Sequence, residues 1–372
     1  VAGIDEAVAT AERLLGALYR ANDERGVYKT SDGGRTWQRV HHLGPDVGFV
    51  DLALHPQDPD TVFAASYERR RRAWHFHEGG EGSRLWKSND AGATWQKLEQ
   101  GLPQGRLGRI GIEPFAKDGQ TLYATIENLN PRAPAPAPTA EPSADEPREH
   151  DGEPEPTAEL LADPVARAMF EARAEAELHE AQDPVRRSRP RVQGGEVYRS
   201  DDGGASWRKT HDESVRIGGS PGYYYGQVRV DPNDRDTVYV LSVPVHRSTD
   251  GGKTWTPRRG AGTPFADSLH VDHHALWIDP RDSRHCLLGN DGGLAVTWDG
   301  GAHWDHLTHL PILQFYTVAA DLGDPYRVYG GLQDNGTFGL PIEAPTTNGL
   351  EPLDAFRIYG GDGFHVQIDP FD

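Results

Sequence analysis

The stretch that decides the fold is KTSDGGRTW, from Lys29 to Trp37. An Asp followed by two glycines could form a cation-binding loop, a phosphate cradle, a catalytic turn or an ordinary hairpin turn. The pattern recurs as SNDAGATW, SDDGGASW, STDGGKTW and TWDGGAHW, at residues 88–95, 200–207, 248–255 and 297–304. The repeated acids and rings are Asp32, Asp90, Asp202, Asp250 and Asp299, with Trp37, Trp95, Trp207, Trp255 and Trp304. Equivalent copies of this kind predict a structural turn, because one chain rarely carries five equal catalytic centres.

A hairpin pattern accompanies the Asp motif along the chain. Two apolar-alternating segments joined by a short turn occur at 51–66, 109–126, 227–242, 275–290 and 317–332, and a sixth copy begins at 364. Each unit then adds a third segment, the Asp motif and a fourth segment. Four strands in about fifty residues describe one blade of a β-propeller, which buries its faces only against neighbouring blades. In such a blade the Asp motif joins the third and fourth strands: Asp and Ser/Thr bond to the turn backbone, Gly permits a positive φ, and Trp packs on the sheet.

The motif resembles the Asp box, or bacterial neuraminidase repeat, of sialidases, two-propeller xyloglucan hydrolases and sortilin-type propellers. The longer stretches HVDHHALWIDP, LLGNDGGL and GGDGFHVQIDP are most similar to large bacterial sortilin-like proteins that are also described as glycosyl-hydrolase-like. The resemblance covers almost the whole chain outside residues 131–190. It implies an all-β propeller of about six to seven four-stranded blades, either alone or within a larger or tandem propeller. It also implies an extracytoplasmic protein whose signal peptide is not in this chain.

We expect a single propeller over residues 1–372. The expected blade units are 14–40 completed by 364–372, then 51–98, 109–208, 226–256, 274–304 and 316–359. Residues 1–13 fit a helical or irregular lead-in better than a strand. Residues 131–190 interrupt the third unit with a Pro-, Ala- and Glu-rich segment, which cannot bury enough apolar surface to fold alone, followed by a predicted helix. A disordered surface loop and a lid or partner-docking helix both remain open for this insertion.

Charge and composition narrow the partners. The chain of 372 residues has 38 Lys and Arg against 57 Asp and Glu, a net charge of −19, which argues against nucleic acid or an anionic membrane. Cys286 is the only cysteine, so no intrachain disulfide can form. No apolar run is long enough to cross a bilayer. The resemblance implies a glycan or peptide ligand, and either a protein partner or the remainder of a larger propeller; no cofactor is expected.

The inner strands of a propeller surround its central channel, and ligands usually lie at one mouth of that channel. Residues that depart from the repeat beside the inner strands are therefore candidates for ligand binding. His270, Asp272, His273 and His274 cluster before an inner strand, and such a group could bind zinc. Successive side chains on a strand point to opposite faces, so His273 and His274 cannot easily share one ion. The pattern therefore favours a hydrogen-bonded cluster and no metal site.

Three acidic residues in this part of the chain are candidate catalytic groups. Asp291 in LLGNDGGL resembles the Thr-Asp-x-Gly-Gly loop that carries a catalytic carboxylate in xyloglucan hydrolases, with Asn290 in place of Thr. Asp334 occupies the equivalent place in the next blade, and Asp362 precedes the following inner strand. A glycosidase needs two carboxyl groups flanking the scissile bond. DGG and DNG are also ordinary turn sequences, so a hydrolase and a non-catalytic binding or assembly module both remain open.

Three further residues are candidates for ligand contact. Tyr224 and Trp277 could stack on a sugar ring, and Arg71 could recognise an acidic group. Blade packing and a solvated face are the structural alternatives for the same side chains. No Arg-Ile-Pro signature of sialidases occurs in the sequence, so sialidase activity is not expected.

Overall fold

A computed structural model describes residues 8–9, 21–72, 74–132, 192–212, 215, 217–218, 222–256, 265–266, 268–307, 314–343 and 354–368. The described residues contain 24 β-strands and no α-helix, and therefore none that is long and apolar enough to span a membrane. Most of the predicted insertion, with its helix, falls on residues 133–191, outside the described residues. The chain divides into two compact units, Val1–Pro264 and Phe265–Asp372.

The first unit contains four antiparallel sheets whose strands follow chain order. The first sheet consists of β1 (Val8–Ala9), β2 (Val27–Lys29) and β3 (Gln38–His41). The second consists of β4 (Val47–Leu54), β5 (Val62–Glu68), β8 (Leu85–Ser88) and β9 (Gln96–Leu98), with the hairpin β6 (Arg70–Arg72) and β7 (His75–His77) inserted after β5. The third consists of β10 (Leu107–Pro114), β11 (Leu122–Pro131), β12 (Val192–Ser200) and β13 (Arg208–Lys209). The fourth consists of β14 (Gln227–Val230), β15 (Val238–Leu241) and β16 (Val245–Ser248).

The second unit contains two four-stranded antiparallel sheets, again in chain order. One consists of β17 (His273–Asp279), β18 (Asp282–Asn290), β19 (Gly293–Thr297) and β20 (Asp305–His306). The other consists of β21 (Thr317–Ala320), β22 (Arg327–Leu332), β23 (Gly336–Pro341) and β24 (Phe356–Tyr359). Four strands joined in sequence describe a propeller blade. The predicted all-β fold built from such blades is therefore confirmed, while closure of the sheets into a single ring stays a prediction.

Neighbouring sheets of the first unit stack through apolar clusters. Phe63 and Leu85 of the second sheet pack with Ile110 and Ile126 of the third, and all four are almost fully buried. Similar clusters join the first sheet to the second and the third to the fourth. Burying a side chain of this size contributes roughly 1.5–3 kcal/mol. Stacking therefore supplies the stability that one isolated blade would lack.

The Asp boxes are held by hydrogen bonds inside each turn. In the third box, Ser200 Oγ donates to Asp202 Oδ1 (2.8 Å) and accepts from the Gly204 amide (2.9 Å). Asp202 also accepts from the amide of Ser206 (2.9 Å), and Trp207 Nε1 donates to the Gly204 carbonyl (3.1 Å). Gly204 has a φ of 89°, in the left-handed region where glycine is favoured. The boxes around Asp32, Asp90 and Asp250 repeat these bonds.

The fifth box departs from the others, as its sequence does. His303 stands where the other boxes have Ser or Thr, and its Nδ1 donates to Asp299 Oδ2 (2.6 Å). Trp304 Nε1 donates to the carbonyl of Phe265 (2.9 Å) instead of to a glycine of its own turn. The imidazole thus replaces a hydroxyl as donor, and the turn is kept.

The two chain ends differ from the sequence expectations. Val8–Ala9, in the expected helical or irregular lead-in, pairs with β2 instead, so that expectation is wrong at these residues. Residues 364–368, expected to form an inner strand, have no strand assignment. Just before them, Gly361 bridges Asn335 and the Gly363 amide donates to the Leu332 carbonyl (2.8 Å). This segment therefore lies beside the β22–β23 turn, which places Asp362 there.

Candidate active site

Three carboxylates from separate loops meet in the second unit. Asp272 precedes β17, Asp291 lies in the β18–β19 turn, and Asp334 lies in the β22–β23 turn. One oxygen from each lies within 4.8 Å of the other two, and Asp272 is half-buried while the other two are exposed. The loops come from both sheets of the unit. We call these three residues, together with Asp362, the carboxylate cluster.

Backbone geometry and hydrogen bonds position the cluster. Asp272 and Asp334 have φ values of 69° and 58°, a left-handed conformation that Asp tolerates better than most residues and that is common at functional sites. The Asp291 amide donates to the Asp272 carbonyl (3.2 Å), which ties the two loops together. Asn290 strengthens this tie, because its amide group donates to the His270 carbonyl (2.8 Å) and accepts from the Gly292 amide (3.0 Å).

Asp362 and Asp334 form a close pair of acids. The Asp334 amide donates to Asp362 Oδ1 (2.9 Å). Burial raises the pKa of the Asp334 carboxyl, and the charges of Asp362 and Asp272 and a side-chain hydrogen bond to Asp362 raise it further, against the opposing effect of His270. Two neighbouring carboxylates disfavour each other's charge, so a proton is held more readily at Asp334 than at an ordinary surface Asp.

Three histidines near the cluster make different contacts. His274 Nε2 lies 2.9 Å from Asp291 Oδ1. His270 Nδ1 donates to the Val271 carbonyl (2.8 Å), so its proton is placed on that nitrogen. His273 is buried at the start of β17; burial, then the charges of His270 and His274, lower its pKa to about 4. His273 is therefore neutral near pH 7.

This arrangement suits two kinds of chemistry. Retaining glycosidases hold their two carboxyl groups about 5–5.5 Å apart, and inverting enzymes about 6.5–9.5 Å apart. One oxygen from each of Asp272, Asp291 and Asp334 lies within 4.8 Å of the other two, so these carboxyl groups are close enough to act on one bond. The same three oxygens could hold a hard divalent cation such as Ca²⁺, whose ligands lie about 2.3–2.6 Å from the ion.

Three other predicted ligand residues, Tyr224, Arg71 and Trp277, contact aromatic or imidazole rings. Tyr224 and Arg71 belong to the first unit, where Tyr224 is exposed and packs edge-on against Tyr225 (ring centroids 5.6 Å apart). The Arg71 guanidinium lies over the ring of Phe76, 5.7 Å from its centroid. Trp277 is exposed on β17. Its ring meets His285 edge-on at 5.4 Å, a ring contact that does not involve the carboxylates.

The first unit contains a cavity that the sequence interpretation missed. Its volume is about 380 Å³, and its polar lining includes Glu78, Arg106, Arg109, Glu127 and Glu196. Burial, and next the charge of Glu78, raise the pKa of Glu127 to about 7. The available signal was a single acid within LYATIENL, an otherwise largely apolar strand. A charge in such a strand needs a partner or a function.

Comparison with known proteins confirms the Asp box. The family model "BNR/Asp-box repeat" matches residues 246–257. A vacuolar protein sorting/targeting protein 10 from Fusarium vanettenii is 30% identical over 84 residues, which are 23% of this chain and 5% of that protein. This chain thus spans only a small part of the curated relative, and the expected sortilin-like similarity is confirmed over that segment.

Two solved structures are similar to this chain over most of its length. An ancestral GH74 enzyme has 15% identity and a TM-score of 0.42, covering 90% of this chain and 35% of its own. A structure of YCF48 bound to D1 peptide has 13% identity and a TM-score of 0.40, covering 86% of this chain and 73% of its own.

Proposed function

We propose that the carboxylate cluster binds a glycan and hydrolyses a glycosidic bond, with Asp334 as general acid and Asp291 as nucleophile. The observation that carries this proposal is the convergence of Asp272, Asp291 and Asp334 within 4.8 Å. Glycoside hydrolysis needs one protonated and one ionised carboxyl group in close proximity. Asp334 lies beside two other acids, whereas Asp291 contacts His274.

Asp334 fits the acid because its environment favours the neutral form. It is packed beside Asp362 and Asp272, and these charges add to burial in raising its pKa. A carboxylic acid of this kind transfers its proton to the glycosidic oxygen as the bond to the leaving sugar breaks. Asp362 acts through Asp334 by accepting its amide hydrogen, and is therefore a positioning residue.

Asp291 fits the nucleophile because it is paired with a donor. The contact between His274 Nε2 and Asp291 Oδ1 (2.9 Å) orients the carboxylate. Its attack on the anomeric carbon forms a glycosyl ester as the leaving sugar departs. Asp334, now ionised, takes a proton from water, and the resulting hydroxide equivalent cleaves the ester with net retention.

The test is a panel of aryl glycosides and soluble polysaccharides with the native chain and three variants. Asp291→Asn and Asp334→Asn should each lower kcat by at least about 100-fold, because general acid and nucleophilic groups contribute 10²–10⁴-fold or more. Asp305→Asn is the matched control, since this exposed Asp lies on β20, the outermost strand of the same sheet. Equal turnover in all three variants would show that Asp291 and Asp334 are not catalytic.

Saturable glycan or peptide binding without any turnover would refute hydrolysis and favour the non-catalytic module. We place that module, like the hydrolase, in an extracytoplasmic setting. The support is the similarity to a protein named for vacuolar sorting and targeting. Fractionation of the producing cells checks this placement, and recovery of the chain with the cytoplasm would contradict it.

A further inference from the structure

The cavity of the first unit is formed by side chains from several elements. Glu127 is on β11, Arg109 is on β10, and Tyr223 and Tyr225 lie just before β14. Its volume of about 380 Å³ is within the range of roughly 300–1,000 Å³ that is usual for small-molecule sites. Apolar lining residues, among them Ile126, Leu129 and Ile217, are nearly fully buried. The cavity therefore combines an apolar wall with ionisable groups.

The Glu127 carboxylate occupies space that two glycines leave open. A Cβ added at Gly108 would lie 2.1 Å from Glu127 Oε2, and one added at Gly222 would lie 2.2 Å from Oε1. Gly108 and Gly222 are 114 residues apart in the chain. Two glycines from distant segments thus admit this one carboxylate, and any larger residue at either position would displace it.

The two arginines of the lining are engaged by backbone carbonyls. Arg106 Nε donates to the Gly79 carbonyl (3.1 Å). Arg109 Nη1 donates to the carbonyls of Tyr223 (3.5 Å) and Tyr224 (3.3 Å). These contacts direct the two guanidinium groups to the protein backbone rather than to a carboxylate.

Among the described contacts, Glu127 accepts only one long hydrogen bond, from the Arg109 amide (3.4 Å), and Glu78 and Glu127 form no ion pair within 4 Å. Glu196 differs, since it forms an ion pair with Lys209 (2.8 Å) and accepts hydrogen bonds from Asn128 and Tyr198. The charged and titratable groups that act on Glu127 are Glu78, Arg106, Arg109 and Tyr67. The charges of Arg106 and Arg109 therefore act on Glu127 without an ion-pair contact, and among the described contacts its carboxylate oxygens keep acceptor capacity for a further cation.

We propose that this cavity binds a small molecule with a protonated primary amine and an apolar body, the ammonium group lying against Glu127 and Glu78. An ammonium group has three N–H donors, which can bond to the Glu127 and Glu78 carboxylate oxygens that have no short hydrogen bond among the described contacts. The buried aliphatic wall and the tyrosines contact the apolar body. Neutralising a partly buried acid in this way offsets the desolvation that now disfavours its charge.

Calorimetry with 2-phenylethylamine and its neutral isostere 2-phenylethanol tests the proposal on the full chain. The amine should bind at least tenfold more tightly than the alcohol, a difference of about 1.4 kcal/mol. Because the pKa of Glu127 is raised to about 7, the amine should release a proton at neutral pH. The binding heat should therefore change between phosphate and MOPS buffers, which differ in ionisation enthalpy.

Variants separate the site from general electrostatic attraction. Glu127→Gln should abolish the proton release and weaken amine binding about tenfold, while the exposed Glu81→Gln should change neither. Glu78→Gln is a second, independent variant, and it should weaken amine binding while reducing the proton release. Equal affinity for amine and alcohol, unchanged binding in both cavity variants, or no heat up to about 10 mM amine would overturn the proposal.

Discussion

Removal of the Ser200 hydroxyl from the third Asp box should destabilise the chain more than removal of the Ser206 hydroxyl from the same box. Both hydroxyls donate to Asp202, at 2.8 Å and 2.5 Å, so the two substitutions remove the same type of bond. They differ in burial, because Ser200 is only 1% exposed whereas the Ser206 bond is open to solvent. The comparison therefore contrasts a buried hydroxyl that also accepts the Gly204 amide hydrogen with an exposed hydroxyl of the same motif.

The magnitude follows from the groups that lose a partner. In Ser200→Ala, the buried Gly204 amide loses its acceptor at 2.9 Å, and no water replaces it. An unsatisfied buried donor costs about 1–3 kcal/mol, so a loss of about 2 kcal/mol is expected. In Ser206→Ala, water solvates the exposed carboxylate oxygen, and the expected loss is below about 1 kcal/mol.

Urea unfolding followed by tryptophan fluorescence measures both variants, because Trp207 lies in the same box. With a slope of about 1–3 kcal/mol/M, Ser200→Ala should lower the midpoint by about 1 M and Ser206→Ala by less than half as much. The slope itself should not change. Equal losses in the two variants would refute the reasoning, since the buried Gly204 amide would then lose its acceptor at no extra cost.

Two further predictions concern the same unit. Gly101→Ala should destabilise the chain by more than about 2 kcal/mol, because φ is 81° and the new Cβ would lie 1.8 Å from the Trp207 carbonyl oxygen. Gly33→Ala, at a φ of 71° with open space around it, is the control, and urea titration should show about half that loss or less. Burial, then the charge of His42, lower the pKa of His41 to about 4, so the unfolded chain takes up a proton between pH 6.5 and 4 that the folded chain does not. This contribution to the free energy of unfolding is full above pH 6.5 and decreases as the pH falls toward 4. His41→Phe, which keeps a ring at the position stacked on Trp95, should make the free energy of unfolding less dependent on pH in this range. An unchanged pH dependence in the variant would contradict the prediction.

The Asp boxes were predictable because their bonds are local. In the box around Asp90, the side-chain hydrogen bonds of Ser88, Asp90 and Thr94 join residues two to four positions apart. Five repetitions of the same letters then identify the turn without knowledge of the surroundings. The alternating hairpins were predictable for the same reason, since strand periodicity is a property of neighbouring residues.

The chain ends show where this local reasoning fails. The sequence FHVQID alternates as a strand should, yet residues 364–368 form no strand. A strand exists only when another chain segment satisfies its backbone groups, and alternation does not identify that segment. Val8–Ala9 is the converse case, because its backbone pairs with β2 although its sequence resembles a helical lead-in.

The candidate sites depend on distances between segments far apart in sequence. Asp291 and Asp334 were each predicted from their place in a repeat, but their proximity depends on how two sheets of the second unit are arranged. Glu127 was missed altogether. Its role depends on Gly108 and Gly222, neither of which carries any pattern that points to a carboxylate.

Short turns that contain Asp and Gly hold two kinds of carboxylate in this chain. The two kinds differ in how many hydrogen-bond donors contact the carboxylate. Asp32 accepts hydrogen bonds from the Thr36 hydroxyl and amide and from the Thr30 hydroxyl, and these lower its pKa to about 2. Asp334 sits in an equally short turn but faces Asp362 and Asp272, and its pKa rises. A carboxylate saturated by donors has no free acceptor for a ligand and no proton to give, so it can only hold a turn. One that faces other acids retains both capacities, which is why we propose chemistry for Asp334 and not for the five Asp boxes.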